Sequence, residues 1–563
     1  MLILEAENIK KYYGERLITG LERFKLYESD RVGIVGLNGS GKTTLMNILT
    51  KQTEPDEGSV VIHTNYTIIR QLEEDEELKQ MAMSDNNDLI FREFDIDGIN
   101  IAYASGGEKT RLKIASGLSA VSSVIFADEP TCNLDIKGVQ LLEEKLKAFQ
   151  GAIVIISHDR TLMDNICNKI LEVENGRVKL YEGNYTAYRT RKEAERERQL
   201  FEYEQYTREK RKLEDAMDGL RNKVKTMRKA PARMGNSEAR LHKRRVNGKK
   251  ARLDKSVKAM ETRINQLEIK ERPRDLPKAR IDIQEGSMPV SKTVISAKDL
   301  WKSFGSRKLF DGVNFDIPNG SKVALVGDNG SGKTTLLNMI LEGTEGIRIA
   351  NGVKIGYFSQ NHDILDADRT ILENVLKVSI FPEYFVRTVL ARLLFKKDDV
   401  YKKIEQLSGG ERVKVAFARI FVQDINLLIM DEPTNYLDIY SMEALEGVLR
   451  EFEGTILFVS HDRRFVEKVA GYILALQDGK VVKIGQGMAQ YFQGDTKKNK
   501  NMKNVNSQKH EMERIMLLEN RLSSLNGRLC MPSKTDNVEA LNAEYIKTAN
   551  ELKTIKEGMK AAR

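Results

Sequence analysis

The feature that most constrains this chain is that it contains the same pattern twice. Gly36-Leu-Asn-Gly-Ser-Gly-Lys-Thr-Thr44 returns 291 residues later as Gly327-Asp-Asn-Gly-Ser-Gly-Lys-Thr-Thr335. Tyr13-Gly14 and Phe304-Gly305 share that offset. Ser105-Gly-Gly-Glu108 returns at Ser408-Gly-Gly-Glu411, 303 residues on. Asp128-Glu-Pro-Thr131 and Ser157-His-Asp-Arg160 return at the same offset, at Asp431 and Ser460. Matched blocks in one order mean a duplicated domain. The first copy is read as residues 1–189 and the second as 293–495. A charged segment, 190–272, lies between them, and a further segment, 507–563, follows. With 563 residues, one hydrophobic core is not expected to serve the whole chain.

Each repeated block carries a chemistry. Gly36, Gly39 and Gly41 follow the apolar run Val32–Val35, a strand pattern, and precede a Leu/Met/Ile helical pattern. Glycines let successive backbone N–H groups, with Asn38 among them, wrap phosphates at a helix N-terminus. Lys42 is expected on the β- and γ-phosphates, with Thr43 on Mg²⁺ and Thr44 beside it. Gly327, Asn329, Gly330, Gly332, Lys333, Thr334 and Thr335 form the second such set. The runs Val124–Ala127 and Leu427–Met430 read as buried strands, each ending in two acids. In each pair the first acid, Asp128 or Asp431, suits Mg²⁺, and the second, Glu129 or Glu432, suits polarising a water. His158 and His461 follow at matching distances, as expected of γ-phosphate sensors. Paired surface acids and structural histidines are commoner taken singly, but not at two matching positions.

This constellation resembles the ATP-binding cassette superfamily in both copies. The resemblance implies an α/β fold of two tandem P-loop NTPase domains that hydrolyse ATP with Mg²⁺. It assigns adenine stacking to Tyr13 and Phe304, and Mg²⁺ and water sensing to Gln71 and Gln360. The Ser-Gly-Gly-Glu blocks resemble the family signature, which caps the ATP held by the opposite cassette. Ser408 and Gly410 would complete the Lys42 site, and Ser105 and Gly107 the Lys333 site. Asn133–Asp135 and Asn435–Asp438 resemble the loops that join the two sites. The first signature opens with Ala104 in place of the usual Leu, which leaves its Ser and Gly donors intact.

The segment between the copies has another character. Leu213, Met217, Leu220, Val224 and Met227 are spaced 4, 3, 4, 3, as are Leu253, Val257, Met260, Ile264 and Leu267. These are narrow coiled-coil seams. Pro231 and Gly235 interrupt them, so a long helical hairpin is predicted with its turn near Lys229–Ser237. Residues 221–258 hold 15 Lys and Arg against Glu238 and Asp254, a net charge of +13, while the whole chain carries only +9. Such a one-signed stretch is a polyanion footprint, although a charged helix face is often merely solvated. At the C-terminus, Ile515, Leu518, Leu522, Leu525 and Leu529 form one seam. Leu541, Tyr545, Leu552, Ile555 and Met559 form another, which predicts a second, shorter hairpin.

No run approaches the ~18 apolar residues of a membrane helix. The opening residues lack a basic region and apolar core of a signal peptide, so a cytoplasmic protein is expected. Cys132, Cys167 and Cys530 show no metal-ligand spacing. Cassette, helical linker, cassette and no membrane segment together resemble the ABC-F family of translation factors. Within that family, the short first cassette and long linker resemble the antibiotic-resistance branch to which Vga and VmlR proteins belong. The resemblance implies a bacterial ribosome as partner, bound at the exit site. The linker would approach large-subunit rRNA of the peptidyl-transferase centre and the P-site tRNA. It also implies a monomer that pairs its own cassettes. A general translation factor rescuing stalled ribosomes is the near alternative. The fused ATPase subunit of a membrane importer is the remote one. Against the importer, only 34 residues separate Gln71 from Ser105 and 48 separate Gln360 from Ser408, the interval that grips a permease.

Overall fold

The computed structural model describes residues 1–70, 89–96, 104–226, 236–270, 289–305, 307–359, 365–395 and 398–485, with the side chains of 236–243 aside, and a few single positions beyond 520. The chain falls into two units, Met1–Val482 and Lys483–Arg563. Nearly all of the second unit lies outside the described residues, including the seams expected for a C-terminal hairpin apart from Leu522 and Leu525.

The first copy runs β1 (Leu2–Tyr13), β2 (Arg16–Tyr27), β3 (Arg31–Gly36), α1 (Lys42–Leu49), β4 (Glu57–Ile62), β5 (Tyr66–Ile69), α2 (Leu89–Glu93), α3 (Gly106–Ser119), β6 (Val124–Asp128), α4 (Ile136–Ala148), β7 (Ala152–Ile156), α5 (Arg160–Ile166), β8 (Lys169–Glu174) and β9 (Arg177–Glu182). A six-stranded sheet has the order β5-β6-β7-β3-β8-β9, parallel except for the β8–β9 pair. An antiparallel sheet, β2-β1-β4, completes the cassette. Every residue of β6 and β7 is buried, which is why these runs are apolar throughout rather than alternating. Each such Val, Ile or Phe contributes roughly 1.5–3 kcal/mol through burial.

The parallel order positions the chemistry. β3, β6 and β7 lie side by side and point the same way, so their C-terminal ends form one edge. The phosphate loop leaves β3, Asp128 ends β6, and Ser157-His158 follows β7. Ligands of open α/β sheets bind at such an edge. Gly41 precedes α1 at φ 102°, and a Cβ there would stand 2.7 Å from Ile18 Cγ2. Only glycine fits that turn.

The long helix α6 (Tyr185–Thr226) follows, then α7 (Asn236–Gln266). At 42 residues α6 is about 60 Å long. It begins inside residues 1–189 and crosses position 190 without a break, and Tyr185 and Tyr188 at its start are buried where the two cassettes meet. The two helices pack antiparallel, with Arg221 on Glu261 at 2.6 Å and Arg263 on Glu209 at 3.1 Å. Leu213, Met217, Leu220 and Val224 are half-buried between them, as are Leu253, Met260, Ile264 and Leu267, while Val257 is buried. Met227 and the expected turn up to Gly235 lie outside the described residues, while Asn236 and Ser237 already belong to α7.

The second copy repeats the plan with β10 (Thr293–Phe304), β11 (Arg307–Pro318), β12 (Lys322–Gly327), α8 (Lys333–Glu342), β13 (Ile347–Ile349), β14 (Ile355–Phe358), α9 (Ile371–Leu376), α10 (Glu383–Arg392), α11 (Gly409–Phe421), β15 (Leu427–Asp431), α12 (Ile439–Glu451), β16 (Thr455–Val459), α13 (Arg463–Val469), β17 (Tyr472–Gln477) and β18 (Lys480–Ile484). Its sheets, β14-β15-β16-β12-β17-β18 and β11-β10-β13, have the same order as the first. Its longer interval before the signature holds α9 and α10. Among the described residues no helix is long and apolar enough to cross a membrane.

The hairpin is held by a narrow seam, so Val257→Asp should loosen it without touching the cassettes. Amide exchange should rise over 205–226 and 244–266, and ATP turnover without any partner should stay within twofold of the parent. Unchanged exchange would mean that the seam does not hold the helices together.

Candidate functional site

The two cassettes face each other, and one cavity of about 1270 Å³ runs between them. Its walls come from both copies. From the first come Tyr13, Asn38, Gly39, Gly41, Lys42, Thr43, Thr44, Ser105, Gly107, Asp128, Glu129 and His158. From the second come Phe304, Asn329, Gly330, Gly332, Lys333, Thr334, Thr335, Ser408, Gly410, Asp431, Glu432 and His461. Gly36 and Gly327 end their strands just below, each accepting a hydrogen bond from its loop lysine. Gln71 and Gln360 lie outside the described residues.

Within each half the geometry repeats. Lys42 Nζ donates to Gly36 O at 3.0 Å and Leu37 O at 3.2 Å, while Lys333 Nζ donates to Gly327 O at 2.9 Å and Asp328 O at 3.0 Å. Burial pushes both lysines below their ordinary value, and the acids around them oppose that shift. Thr43 Oγ1 donates to Asp128 Oδ2 at 3.0 Å, and Thr334 makes the same bond to Asp431. His158 Nε2 stands 3.2 Å from Glu129 Oε1, and His461 Nε2 stands 3.2 Å from Glu432 Oε1. Burial pushes Glu129 up to about 8 and Glu432 up to about 7, and pushes both imidazoles down to about 3. With the imidazoles neutral, neither contact is an ion pair. The hydrogen bond that each glutamate accepts comes from the histidine backbone N–H, with His158 N 3.3 Å from Glu129 Oε2.

Both glutamates have left-handed backbone, φ 48° at Glu129 and 49° at Glu432. That conformation costs of order 1–3 kcal/mol for a residue with a Cβ. At Glu129 it is held by its own N–H donating to Ile156 O and by its carbonyl accepting from Cys132 N. Strain at the same place in both copies aims the carboxyls into the cavity rather than along the strand.

The halves are joined at their loops. Asn38 donates its backbone N–H to Asp438 Oδ2 at 2.9 Å and its amide to Tyr436 O at 2.8 Å. In mirror, Asn329 donates to Asp135 Oδ2 at 3.1 Å and to Asn133 O at 3.0 Å. The other oxygen of each Asp caps its own helix, Asp438 receiving from Ser441 N and Asp135 from Gly138 N, both at 2.8 Å. Signature helices α3 and α11 begin at Ser105 and Ser408, each with a capping box closed by Glu108 or Glu411. Their glycines touch the opposite loop. A Cβ on Gly410 would stand 2.5 Å from Tyr436 O and 2.7 Å from Asn38 Nδ2, and one on Gly107 2.7 Å from Asn329 Nδ2.

Sequence reading found the loops that join the sites but missed what holds the cassettes together beneath them. Arg160, only 1% exposed, binds Glu446 and lies near Glu443 and Asp462 of the second cassette. Its mirror Arg463 reaches Glu143, and Arg464 binds Asp164. The acids around Arg160 hold it above its usual range, while burial pushes Asp462 up to about 6. Arg160 and Arg463 stood in a matched block, so their importance was visible. Their partners, far away in sequence, were not.

Two facing nucleotide-loop cassettes in one chain define an ATP-binding cassette ATPase. Family models described as ABC transporter match residues 22–132 and 310–435, and a second so described matches 171–239. The chain is 35% identical to the erythromycin resistance ATP-binding protein MsrA of Staphylococcus epidermidis, over 80% of this chain and 92% of that one. It is 30% identical to the ribosome protection protein VmlR of Bacillus subtilis, over 90% of each. It is 28% identical to ABC transporter F family member 2 of Arabidopsis thaliana, over 92% of this chain and 81% of that one. Among solved structures, the archaeal ribosome recycling factor in complex with a stalk protein superposes with a TM-score of 0.60 at 20% identity, over 86% of this chain and 92% of that one. The chain belongs to the ABC-F family, and it is an ATP hydrolase.

The glycine contacts give a direct test. Gly410→Ala suits helix α11 but clashes across the interface, so ATP turnover should fall at least tenfold with the fold intact by circular dichroism. Gly107→Ala should act likewise at the other side. Parental turnover in both variants would mean that the facing arrangement is not the one that hydrolyses ATP.

Proposed function

We propose that this chain is a cytoplasmic ribosome-binding ATPase that sandwiches two ATP between its cassettes and protects translation from ribosome-targeting antibiotics. Hydrolysis would then drive its release. The observation that carries the first half is the crossed docking of each phosphate loop onto the signature and Asp of the other cassette. Such a site is complete only when closed, so binding energy of two ATP becomes closing force. The second half is supported by the hairpin's exposed Arg244, Arg245, Lys249, Lys250 and Arg252, and by the relatives' names. Those cations suit rRNA and tRNA phosphates.

The residues suit the chemistry. Lys42 and Lys333 exchange loop carbonyls for β- and γ-phosphate oxygens. Tyr13 and Phe304 are 59% and 58% exposed at the cavity rim, as stacking on adenine requires. Gln71 and Gln360 keep their assignment to the metal and water. Glu129 and Glu432 take a proton from the attacking water. His158 and His461 face the γ-phosphate as neutral donors, and their Nδ1 atoms are buried without a partner. Mg²⁺ fits the Thr43–Asp128 and Thr334–Asp431 pairs, and among the described residues no cluster of three or more His, Cys, Asp or Glu offers a self-sufficient cage. Held there, the ion would neutralise charge on the phosphates.

We assign drug selectivity to the turn near Lys229–Ser237 and lincosamides, pleuromutilins and streptogramin A as the drug class. The near alternative is a general translation factor of the same architecture, which would give no protection to cells.

The carrying experiment is Glu129→Gln with Glu432→Gln. This variant should bind ATP, lose nearly all hydrolysis and sediment with ribosomes, while the parent protects cells against a drug panel and the variant does not. Parental turnover in the double variant would remove the assigned base. Failure to sediment would remove the ribosome.

The pH profile follows from the raised carboxyls. A base acts as the carboxylate, which exists above its pKa, so turnover should rise with pH through 7–8 and fall away in acid. Glu432→Gln leaves only Glu129 and Glu129→Gln only Glu432, and both carboxyls are raised, so each single variant should keep a profile that rises with pH. Coincident flat profiles would count against a carboxylate base.

Neutralising Arg240, Lys243, Arg244 and Arg245 should weaken ribosome binding and flatten its dependence on salt, because fewer counterions are released. An unchanged salt slope would return these helices to a merely solvated face.

A further inference from the structure

Helix α6 is tied to the second cassette by hydrogen bonds that the nucleotide chemistry does not use. Tyr188 on α6 shares a hydroxyl hydrogen bond of 2.7 Å with Tyr440 on α12. Tyr188 donates to one oxygen of Glu172 on β8 at 2.7 Å, so in their shared bond Tyr440 is the donor, with its hydroxyl 3.2 Å from the same Glu172 oxygen. Lys192, one turn further along α6, holds the other Glu172 oxygen at 2.8 Å. A second tie joins Arg189 to Glu443 of α12 at 2.7 Å. Burial and Glu172 raise both phenols above their ordinary value, so their hydroxyls keep their protons.

Tyr440 stands two residues past Asp438. Asp438 is the carboxylate that caps α12 with one oxygen and receives the Asn38 N–H of the first phosphate loop with the other. One rigid helix start therefore touches the Lys42 site at one point and the base of the long helix at the next. The duplicate position differs in kind. Lys137 stands where Tyr440 does, and it pairs at 3.0 Å with Asp328 of the phosphate loop itself. Leu37 replaces that aspartate in the first loop, and Ala475 replaces Glu172. The Tyr-Glu-Tyr group thus has no counterpart of the same residues on the other side; Tyr491, the match for Tyr188, lies outside the described residues.

We propose that Tyr440, Glu172 and Tyr188, with Arg189–Glu443, form a positioning relay that couples closure of the Lys42 site, in preference to the Lys333 site, to the pose of helix α6. The two ATP sites then have different mechanical outputs. The first moves the linker, and the second, fastened by Lys137–Asp328, holds the cassettes together. A ligand shifts such an equilibrium only through contacts that differ between states. The relay supplies them, since α12 keeps its grip on α6 only where the second cassette stays seated against the first.

The test needs no ribosome, so it stands apart from the function proposed above. Spin labels carried on non-cysteine reactive residues go into the full-length chain. One pair, Glu22 with Glu342, reads closure between cassettes. Another, Glu22 with Thr207, reads the pose of α6. With ATP and Mg²⁺, the Glu129→Gln chain should shift both distances. Adding Tyr440→Phe and Arg189→Met should leave the closure shift and abolish the α6 shift. Tyr440→Phe alone, which keeps the ring in place, should reduce it at least twofold and covers the case in which the double change fails to fold. Glu432→Gln should give at most half the α6 shift of Glu129→Gln. The proposal is overturned if the α6 shift survives in the relay variants, if closure is lost with it, or if the two trapped chains move α6 equally.

Discussion

Two carboxylates carry the architecture. Asp135 and Asp438 each spend one oxygen on the start of their own helix and the other on the phosphate loop of the opposite cassette. A carboxylate at a helix N-terminus already satisfies donors that the helix leaves open. Here the same charge reaches an asparagine N–H that belongs to the other half of the chain. The facing of the cassettes and the grip on each phosphate loop thus rest on the same two carboxylates. The signature glycines follow from this, because a loop gripped so closely leaves no room for a Cβ at Gly107 or Gly410.

Burial also sets the electrostatics. Glu129, Glu432, His158 and His461 line the cavity between the cassettes with their side chains largely buried, which keeps most water from them. Exclusion raises the carboxyls and lowers the imidazoles, since burial disfavours charge in both. A carboxyl poised near neutrality is a better proton acceptor than an exposed one, which is usually far too acidic. Beneath the site, Arg160 does the opposite work. Its buried charge is matched by acids of the partner cassette, and removing either side would leave an uncompensated ion.

Duplication gives the molecule near-symmetry, and the departures from it are chemically specific. Tyr440 against Lys137 and Leu37 against Asp328 place a linker contact on one side and a loop contact on the other. The long helix emerges from the first cassette but is also bonded to the second, so it stands at the joint between them. That is where a change in the cassettes is converted most directly into a change in a helix about 60 Å long.

Much of this was legible in the residues. Glycine spacing, strand-end acids and the apolar runs before them are local in sequence, and local patterns report local structure. The phosphate loops, the acid pairs, the histidines and the hairpin seams through Val257 could therefore be read directly. Boundaries were harder: no residue marks a break at 190, because one helix runs on through it from Tyr185 and Tyr188, which are buried where the cassettes meet. No sequence pattern singles out Glu172 or Tyr440, and Arg160 had no visible partner. Their roles depend on residues some 250 to 290 positions away, brought within hydrogen-bonding distance when the copies meet. The sequence by itself determined which side chains stand at each phosphate loop and strand end, since each is set by the order of residues along one strand and loop. The tertiary structure alone decided how the sites face, how burial tunes their acids and which site is bonded to the linker, because these follow from surfaces that meet only after both cassettes have folded.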